Sequence, residues 1–288
     1  MQPPPLVTVV IPTYDDDPEH LAAALASVVA QTHPRLEIVV VDDGSKPPVD
    51  IASLRAGAPV NVIRQPNAGP AAARNTGIHA GRGHYVLCLD ADDLVSPTYV
   101  AEAVQLLEED PARAVVYAGL VPFGELDAPG WPTRGELSLE HFAQRSAVPV
   151  ASMFRRADWA ATSGWDEGMR TGMEDHEWWV RLLGATGGVA APMPCAVLSY
   201  RVRPGSRSRT RPYAEDLAVT REHILANNPP RVLRQLLRGA WAATDAAELE
   251  AALAWSDRWQ LRRWGRAVRR RLRRVLPGRS ATPPSGVA

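Results

Sequence analysis

Lysine is nearly missing from this chain of 288 residues: Lys46 is the only one, and the other 31 basic residues are arginine. Chemistry that needs a lysine in the later part of the chain is therefore excluded. With abundant alanine and proline, the bias also points to GC-rich coding, so arginine number alone carries little functional weight. Cysteine is scarce as well. Cys88 and Cys195 have no metal-binding spacing. Both fall in apolar, strand-like stretches and are expected to be buried, reduced thiols of a cytosolic protein. No apolar run approaches the roughly 20 residues that cross a bilayer. Met1-Gln2-Pro3-Pro4-Pro5 has neither the charged nor the apolar region of a signal peptide, so the expected location is the cytoplasm.

Net charge is absent too, but the zero hides an asymmetry. From Trp255 to Ala288 ten arginines face one acid, a net +9, while the rest of the chain carries 22 basic and 31 acidic residues, a net −9. Such a division speaks about partners rather than fold. On the last helix Leu261, Trp264, Val268, Leu272 and Val275 form an apolar stripe amid arginines. A basic amphipathic helix over 255–276 suits an anionic membrane surface, placing the protein peripherally on the inner face of the plasma membrane. The equal alternative is a helix docked on the acidic body. Nothing resembles a nucleic-acid recognition module, so no nucleic-acid partner is expected.

What is present is an alternation of strands and helices. Leu6 to Ile11, Leu36 to Val41, Val60 to Ile63, Tyr85 to Leu89 and Val115 to Tyr117 read as strands. Helices are expected from Asp17, an N-cap followed by Pro18, and over 70–80, 97–109 and 174–183. Residues 122–172 read as loops and short helices, 190–202 contains a strand, and the chain is helical after Asn227-Asn228-Pro229-Pro230, with Asp245 and Glu248 at capping-box spacing. The pattern predicts an α/β fold, a mostly parallel sheet flanked by helices, as a domain over 1–228 with a helical extension over 229–288.

The strand ends carry the polar clusters. Tyr85-Val86-Leu87-Cys88-Leu89 stops at Asp90-Ala91-Asp92-Asp93, and alternation places Asp90 and Asp92 on one side. Paired carboxylates at a strand's carboxyl end become tolerable around a hard divalent cation. A solvated turn, with Asp93 or Ser96 capping the next helix, is the plainer account of that segment alone. Val9-Val10-Ile11-Pro12-Thr13-Tyr14, Val41-Asp42-Asp43-Gly44-Ser45, Asn67-Ala68-Gly69 with Arg74-Asn75, and Leu89-Asp90-Ala91-Asp92-Asp93 follow in order, then Gly164-Trp165-Asp166-Glu167, Glu174-Asp175 and Tyr200-Arg201. Over residues 6–208 this series resembles the bacterial family 2 glycosyltransferases, inverting enzymes of GT-A fold that use nucleotide-sugar donors.

The resemblance implies roles. Asp90 and Asp92 would hold Mn²⁺ or Mg²⁺ as a Lewis acid for the leaving diphosphate, with Asp90 also at the donor ribose. Pro12, Thr13, Tyr14 and Asp42 would form the nucleoside pocket, with Gly44 serving the turn. Arg74 would pair either with diphosphate or with the acidic cluster. Trp165, Asp166 and Glu167 would contact the donor sugar, and Glu174 would hold the sugar or orient a loop. Asp175 would be the base that takes the acceptor hydroxyl's proton. Trp178, Trp179 and Leu182 read as core. The acceptor would belong to a cell-surface glycan, a glycolipid, including a lipid-linked one, or a glycosylated metabolite.

One departure stands out. Many relatives read Tyr-Arg-x-His where this chain reads Tyr200-Arg201-Val202-Arg203. A metal-ligating histidine is replaced by a fixed cation that cannot ligate a metal but can neutralise a diphosphate, with Arg207, Arg209 and Arg211 following nearby. Weaker metal affinity is expected. Phosphotransferases of the haloacid-dehalogenase type share Asp-x-Asp but need a downstream lysine that is missing here. Sugar nucleotidyltransferases need a glycine-rich first loop, where Pro12-Thr13-Tyr14-Asp15 stands instead. The remaining alternative is a catalytically inactive relative serving as scaffold or membrane adaptor. Retention of Asp42, Asp90, Asp92 and Asp175 argues against it.

Overall fold

Strand β1 (Val7–Thr13) is buried at every position but Pro12, as expected of a strand when helices cover both faces of its sheet. Val7, Val9 and Ile11 enter one core and Val10 the other, the period of two that an extended chain imposes. The computed structural model describes residues 3–50, 59–125, 130–203 and 212–258, with 245–258 in backbone only. The chain divides into two compact units, Met1–Gly239 and Ala240–Ala288. Arg207, Arg209, Arg211 and the basic stretch beyond Arg258 lie outside the described residues.

The other strands are β2 (Leu36–Asp42), β3 (Val60–Arg64), β4 (Tyr85–Cys88), β5 (Leu94–Val95), β6 (Arg113–Gly124), β7 (Met153–Arg155) and β8 (Val189–Val202). They form one sheet in the order β3-β2-β1-β4-β7-β6-β8-β5. Six strands run in one direction, and only β7 and β5 oppose them, so the sheet is mixed but mostly parallel. The expected irregular segment after residue 122 is partly strand, because β6 continues to Gly124 alongside β8 and β7 fills the gap between β4 and β6.

The helices are α1 (Pro18–Val29), α2 (Pro70–Ala80), α3 (Tyr99–Glu109), α4 (Arg156–Ala161), α5 (Glu174–Thr186), α6 (Tyr213–Asn227) and α7 (Pro230–Arg258). Asp17 does cap α1, accepting the Glu19 amide at 2.8 Å. Leu21, Leu25 and Val28 of α1 and Val100, Val104 and Leu107 of α3 pack on one face. The other face takes Ile78 of α2 and the large aromatics of α5. Trp178 stacks on Trp165 at 4.4 Å between ring centroids and meets Phe154 edge-on at 4.5 Å, with all three buried. Each such pair contributes about 0.5–1.5 kcal/mol beyond its burial. Helix α2 lies so close to β1 that a Cβ on Gly77 would meet a Val10 methyl at 2.3 Å.

Three expectations are corrected here. The helix after Asp90-Ala91-Asp92-Asp93 is entered at Thr98, not capped by Asp93 or Ser96. Those two side chains instead accept amides from β8, Asp93 from Arg201 at 2.9 Å and Ser96 from Val197 at 3.0 Å. Helix α7 passes through Asp245 and Glu248 without interruption, so no cap forms there. Cys88 is buried in β4 as expected, but Cys195 is exposed on β8, at an irregularity where β8 departs from regular pairing with β6.

Candidate active site

Parallel pairing sets the edge of the site. Thr13 lies beside Asp42, and Asp42 beside Arg64, so the ends of β1, β2 and β3 form one level rung. The next residues turn away. Asp42 is buried, its Oδ1 accepting the Ser45 amide at 2.8 Å and its Oδ2 the Val49 amide at 3.2 Å and the Arg64 guanidinium. Burial alone would raise its carboxyl; these donors outweigh it and hold the group below the usual range. Gly44 takes φ +92°, the left-handed turn conformation that glycine adopts without strain. Asp43 reaches across to the next motif, accepting the amides of Ala68 at 2.9 Å and Gly69 at 2.8 Å. It thereby fixes the turn that launches α2.

Arg74 is the hub. Its Nη2 donates to Asp90 Oδ1 at 2.9 Å, its Nη1 to Glu174 Oε1 at 2.8 Å, and its guanidinium lies 5.0 Å from the centre of the Trp165 ring. The arginine is 3% exposed. Burial opposes its charge, but Asp90 and Glu174 more than compensate and push its pKa above the ordinary arginine range. One residue thus ties together α2, the loop after β4 and the start of α5. Of the two partners left open by the sequence, Arg74 takes the acidic cluster.

Asp175 stands next to that hub, partly exposed at the amino end of α5. Its Oδ1 accepts the His176 amide at 2.8 Å, and its Oδ2 faces the Ser146 hydroxyl at 3.4 Å. Burial and then the negative charge of Glu174 push the carboxyl up to about 6, against the pull of the His176 amide and Arg74. A carboxylate poised there is suited to accept a proton near neutral pH.

The fourth component arrives from the end of β8. Arg203 Nη2 lies 3.1 Å from Asp92 Oδ2 and 3.1 Å from Asp16 Oδ1. Burial, then Asp90 and Asp16, hold the Asp92 carboxyl above its usual range, with Arg203 opposing them. Asp16 is oriented by its own loop, accepting the Thr13 hydroxyl at 3.1 Å and the Tyr14 amide at 3.2 Å. Sequence reading missed Asp16, Arg64 and Ser146. The only hint for Asp16 was its place in the acidic run that follows β1.

Asp90, Asp92, Arg74, Glu174, Asp175 and Arg203 therefore converge, with Pro12 half-buried, Thr13 buried and Tyr14 exposed at the end of β1. The Trp165-Asp166-Glu167 segment is held differently. Trp165 is buried beneath Arg74, and its backbone is clamped by Asn75, which also donates to Glu167 Oε1 at 2.8 Å. Asp166 turns to α6, meeting His223 Nδ1 at 2.8 Å and Asn227 Nδ2 at 2.7 Å. Among the described residues no group of three or more His, Cys, Asp or Glu side chains is arranged to hold a metal ion. Nor is any described helix long and apolar enough to cross a membrane.

Comparison with known proteins gives the family and the fold. The profile of the family described as "Glycosyl transferase family 2" matches residues 8–162. The succinoglycan biosynthesis protein ExoW of Rhizobium meliloti is 43% identical over 107 residues, covering 34% of this chain and 33% of that protein. The glycosyltransferase GlyG of Streptococcus pneumoniae is 32% identical over 115 residues, 38% of each chain. The chain thus spans only 33–38% of the length of these curated relatives. Among solved structures, S. aureus TarS 1-349 in complex with UDP-GlcNAc superposes with a TM-score of 0.63 at 18% identity, over 82% of this chain and 73% of that one. The likeness is one of fold, the GT-A arrangement of sheet and helices.

Proposed function

Because the chain belongs to glycosyl transferase family 2, we propose that it moves a sugar from a nucleoside-diphosphate donor to an acceptor hydroxyl with inversion at the anomeric carbon. The observation that carries this reading is the convergence, at the carboxyl edge of one sheet, of a nucleoside-side rung (Thr13, Asp42), a charged pair (Asp90, Asp92) and a partly exposed carboxylate, Asp175. Open α/β sheets bind ligands along this edge.

The steps follow from the charges. Asp175 takes the proton of the acceptor hydroxyl as that oxygen attacks the anomeric carbon. The bond from that carbon to the diphosphate oxygen breaks in the same displacement, and the electron pair leaves with the nucleoside diphosphate. Negative charge grows on the departing phosphate, where Arg203 is placed to meet it. Asp42 would read the base and Tyr14 would pack on the nucleoside, with Pro12 and Thr13 forming the pocket floor. Arg74 holds Asp90 and Glu174 in position beside Asp175. Trp165, Asp166 and Glu167 support the donor-sugar side through Asn75 and α6. The UDP and UDP-GlcNAc complexes of TarS make uridine donors the first to test. The name of ExoW favours an acceptor in a bacterial polysaccharide, and a lipid-linked acceptor fits the basic tail.

The test is a donor panel with UDP-, GDP- and dTDP-sugars, reading nucleoside diphosphate release and product anomeric configuration by NMR. At least one donor should turn over and give the inverted product. Absence of both nucleotide binding and turnover across the panel would refute the assignment.

A further inference from the structure

We infer that Arg203, seated on Asp16 and Asp92, takes the place of the divalent cation that the family resemblance calls for, so that donor binding here needs no metal. This rests on the nucleoside-diphosphate reading above. The inference starts from occupancy of the carboxylates. Asp90 Oδ1 is engaged by Arg74 at 2.9 Å and Asp92 Oδ2 by Arg203 at 3.1 Å, so each acid of the Asp-Ala-Asp segment already has its own guanidinium. A magnesium-sized ion requires near-octahedral oxygen ligands at about 2.0–2.1 Å. At Asp92 it would lie against a fixed positive charge, and the residues present do not fit it.

The seat is built rather than incidental. Asp16 is drawn inward by the Thr13 hydroxyl and the Tyr14 amide, and Asp15 adopts φ +51° in the turn that brings it there. On the other side, β8 is fastened to the acidic loop. Arg201 donates its amide to Asp93 and its Nε to the Asp92 carbonyl at 3.0 Å, and its guanidinium lies 4.4 Å from the Phe123 ring centre. Pairing of Leu94 with Ser199 completes the connection. The arginine is thus delivered to Asp92 by a strand whose register is fixed just upstream. Its side chain is 30% exposed, enough for the guanidinium to meet an incoming phosphate while still anchored. Guanidinium is permanently charged and matches phosphate oxygens with two parallel donors.

The experiment is calorimetric titration of UDP, and of GDP if UDP does not bind, into the 288-residue chain in EDTA and in Mn²⁺, with Mn²⁺ binding followed separately by EPR. The wild type should bind with affinities that differ by less than about threefold between the two conditions and should show no Mn²⁺ binding. Arg203→His, which installs the residue common in relatives, should bind at least about tenfold more weakly in EDTA, recover with Mn²⁺, and acquire an Mn²⁺ signal. Wild-type affinity that falls about threefold or more in EDTA overturns the inference while leaving the donor assignment intact. So does Arg203→His binding in EDTA as tightly as wild type. Failure of every nucleoside diphosphate to bind under any condition overturns the donor assignment, and this inference with it.

Discussion

Removing the guanidinium of Arg74 should do more damage than any other single charge deletion at the site. Arg74→Met keeps the length of the side chain and its contact with Trp165 but strips Asp90 and Glu174 of partners at 2.9 and 2.8 Å. The Glu174 side chain is only 8% exposed, so water is poorly placed to replace what is lost. Breaking a buried ion pair from one side costs about 3–5 kcal/mol, because the remaining charge stays desolvated. For a body of this size each kcal/mol lowers the melting temperature by about 2–4 °C, so the expected fall is roughly 6–20 °C. Urea unfolding and thermal melts at pH 7 measure it. Glu174→Gln in the Arg74→Met background should restore part of the loss by removing a buried negative charge that has lost its Arg74 guanidinium, giving a coupling above about 0.5 kcal/mol. A loss below about 1 kcal/mol for Arg74→Met, or strict additivity in the double variant, would show that the hub is solvated and contributes little.

Two further outcomes follow from the same structure. Because the Asp175 carboxyl is pushed up to about 6 and the base must be ionised, kcat/KM should rise with pH through about 6 and level off above it. Asp175→Asn should lower the rate about 10²- to 10⁴-fold and abolish that limb, whereas Glu174→Gln, which removes a charge that raises the Asp175 carboxyl, should move it to lower pH. An acid limb that survives in Asp175→Asn would assign the base elsewhere. Gly77→Ala should destabilise the fold by about 1–3 kcal/mol in spite of alanine's better helix propensity, since the new methyl meets Val10 at 2.3 Å, and the penalty should shrink in a Val10→Ala background. Equal urea midpoints for Gly77→Ala and wild type would contradict that packing.

The long elements were legible because their signals are local. The β-branched runs at 7–11 and 36–41, the Asp17-Pro18 helix start and the proline opening α2 each state their structure within a few residues. Strands β5 and β7, of two and three residues, are too short to show a period and exist only because neighbours supply their partners. The motif residues Asp42, Asp90, Asp92 and Asp175 could be named from sequence, but their partners could not. Arg64 reaches Asp42 from 22 residues away and Arg203 reaches Asp16 from 187, distances over which composition and spacing say nothing. Trp165 shows the same limit in reverse. Its neighbours in sequence suggested a sugar contact, yet its environment is Arg74 above and Trp178 below.

The contrast between the two thiols has a practical side. Burial pushes Cys88 up to about 12, leaving almost no thiolate for an electrophile at neutral pH, whereas Cys195 is exposed on β8, its amide donating to Glu102 at 2.9 Å. A maleimide dye or spin label should therefore attach at one point in the native protein, with no cysteine introduced or removed. That point lies on the strand that ends beside Arg203, so the attached probe would register, in real time, whether the end of β8 shifts when a nucleotide arrives.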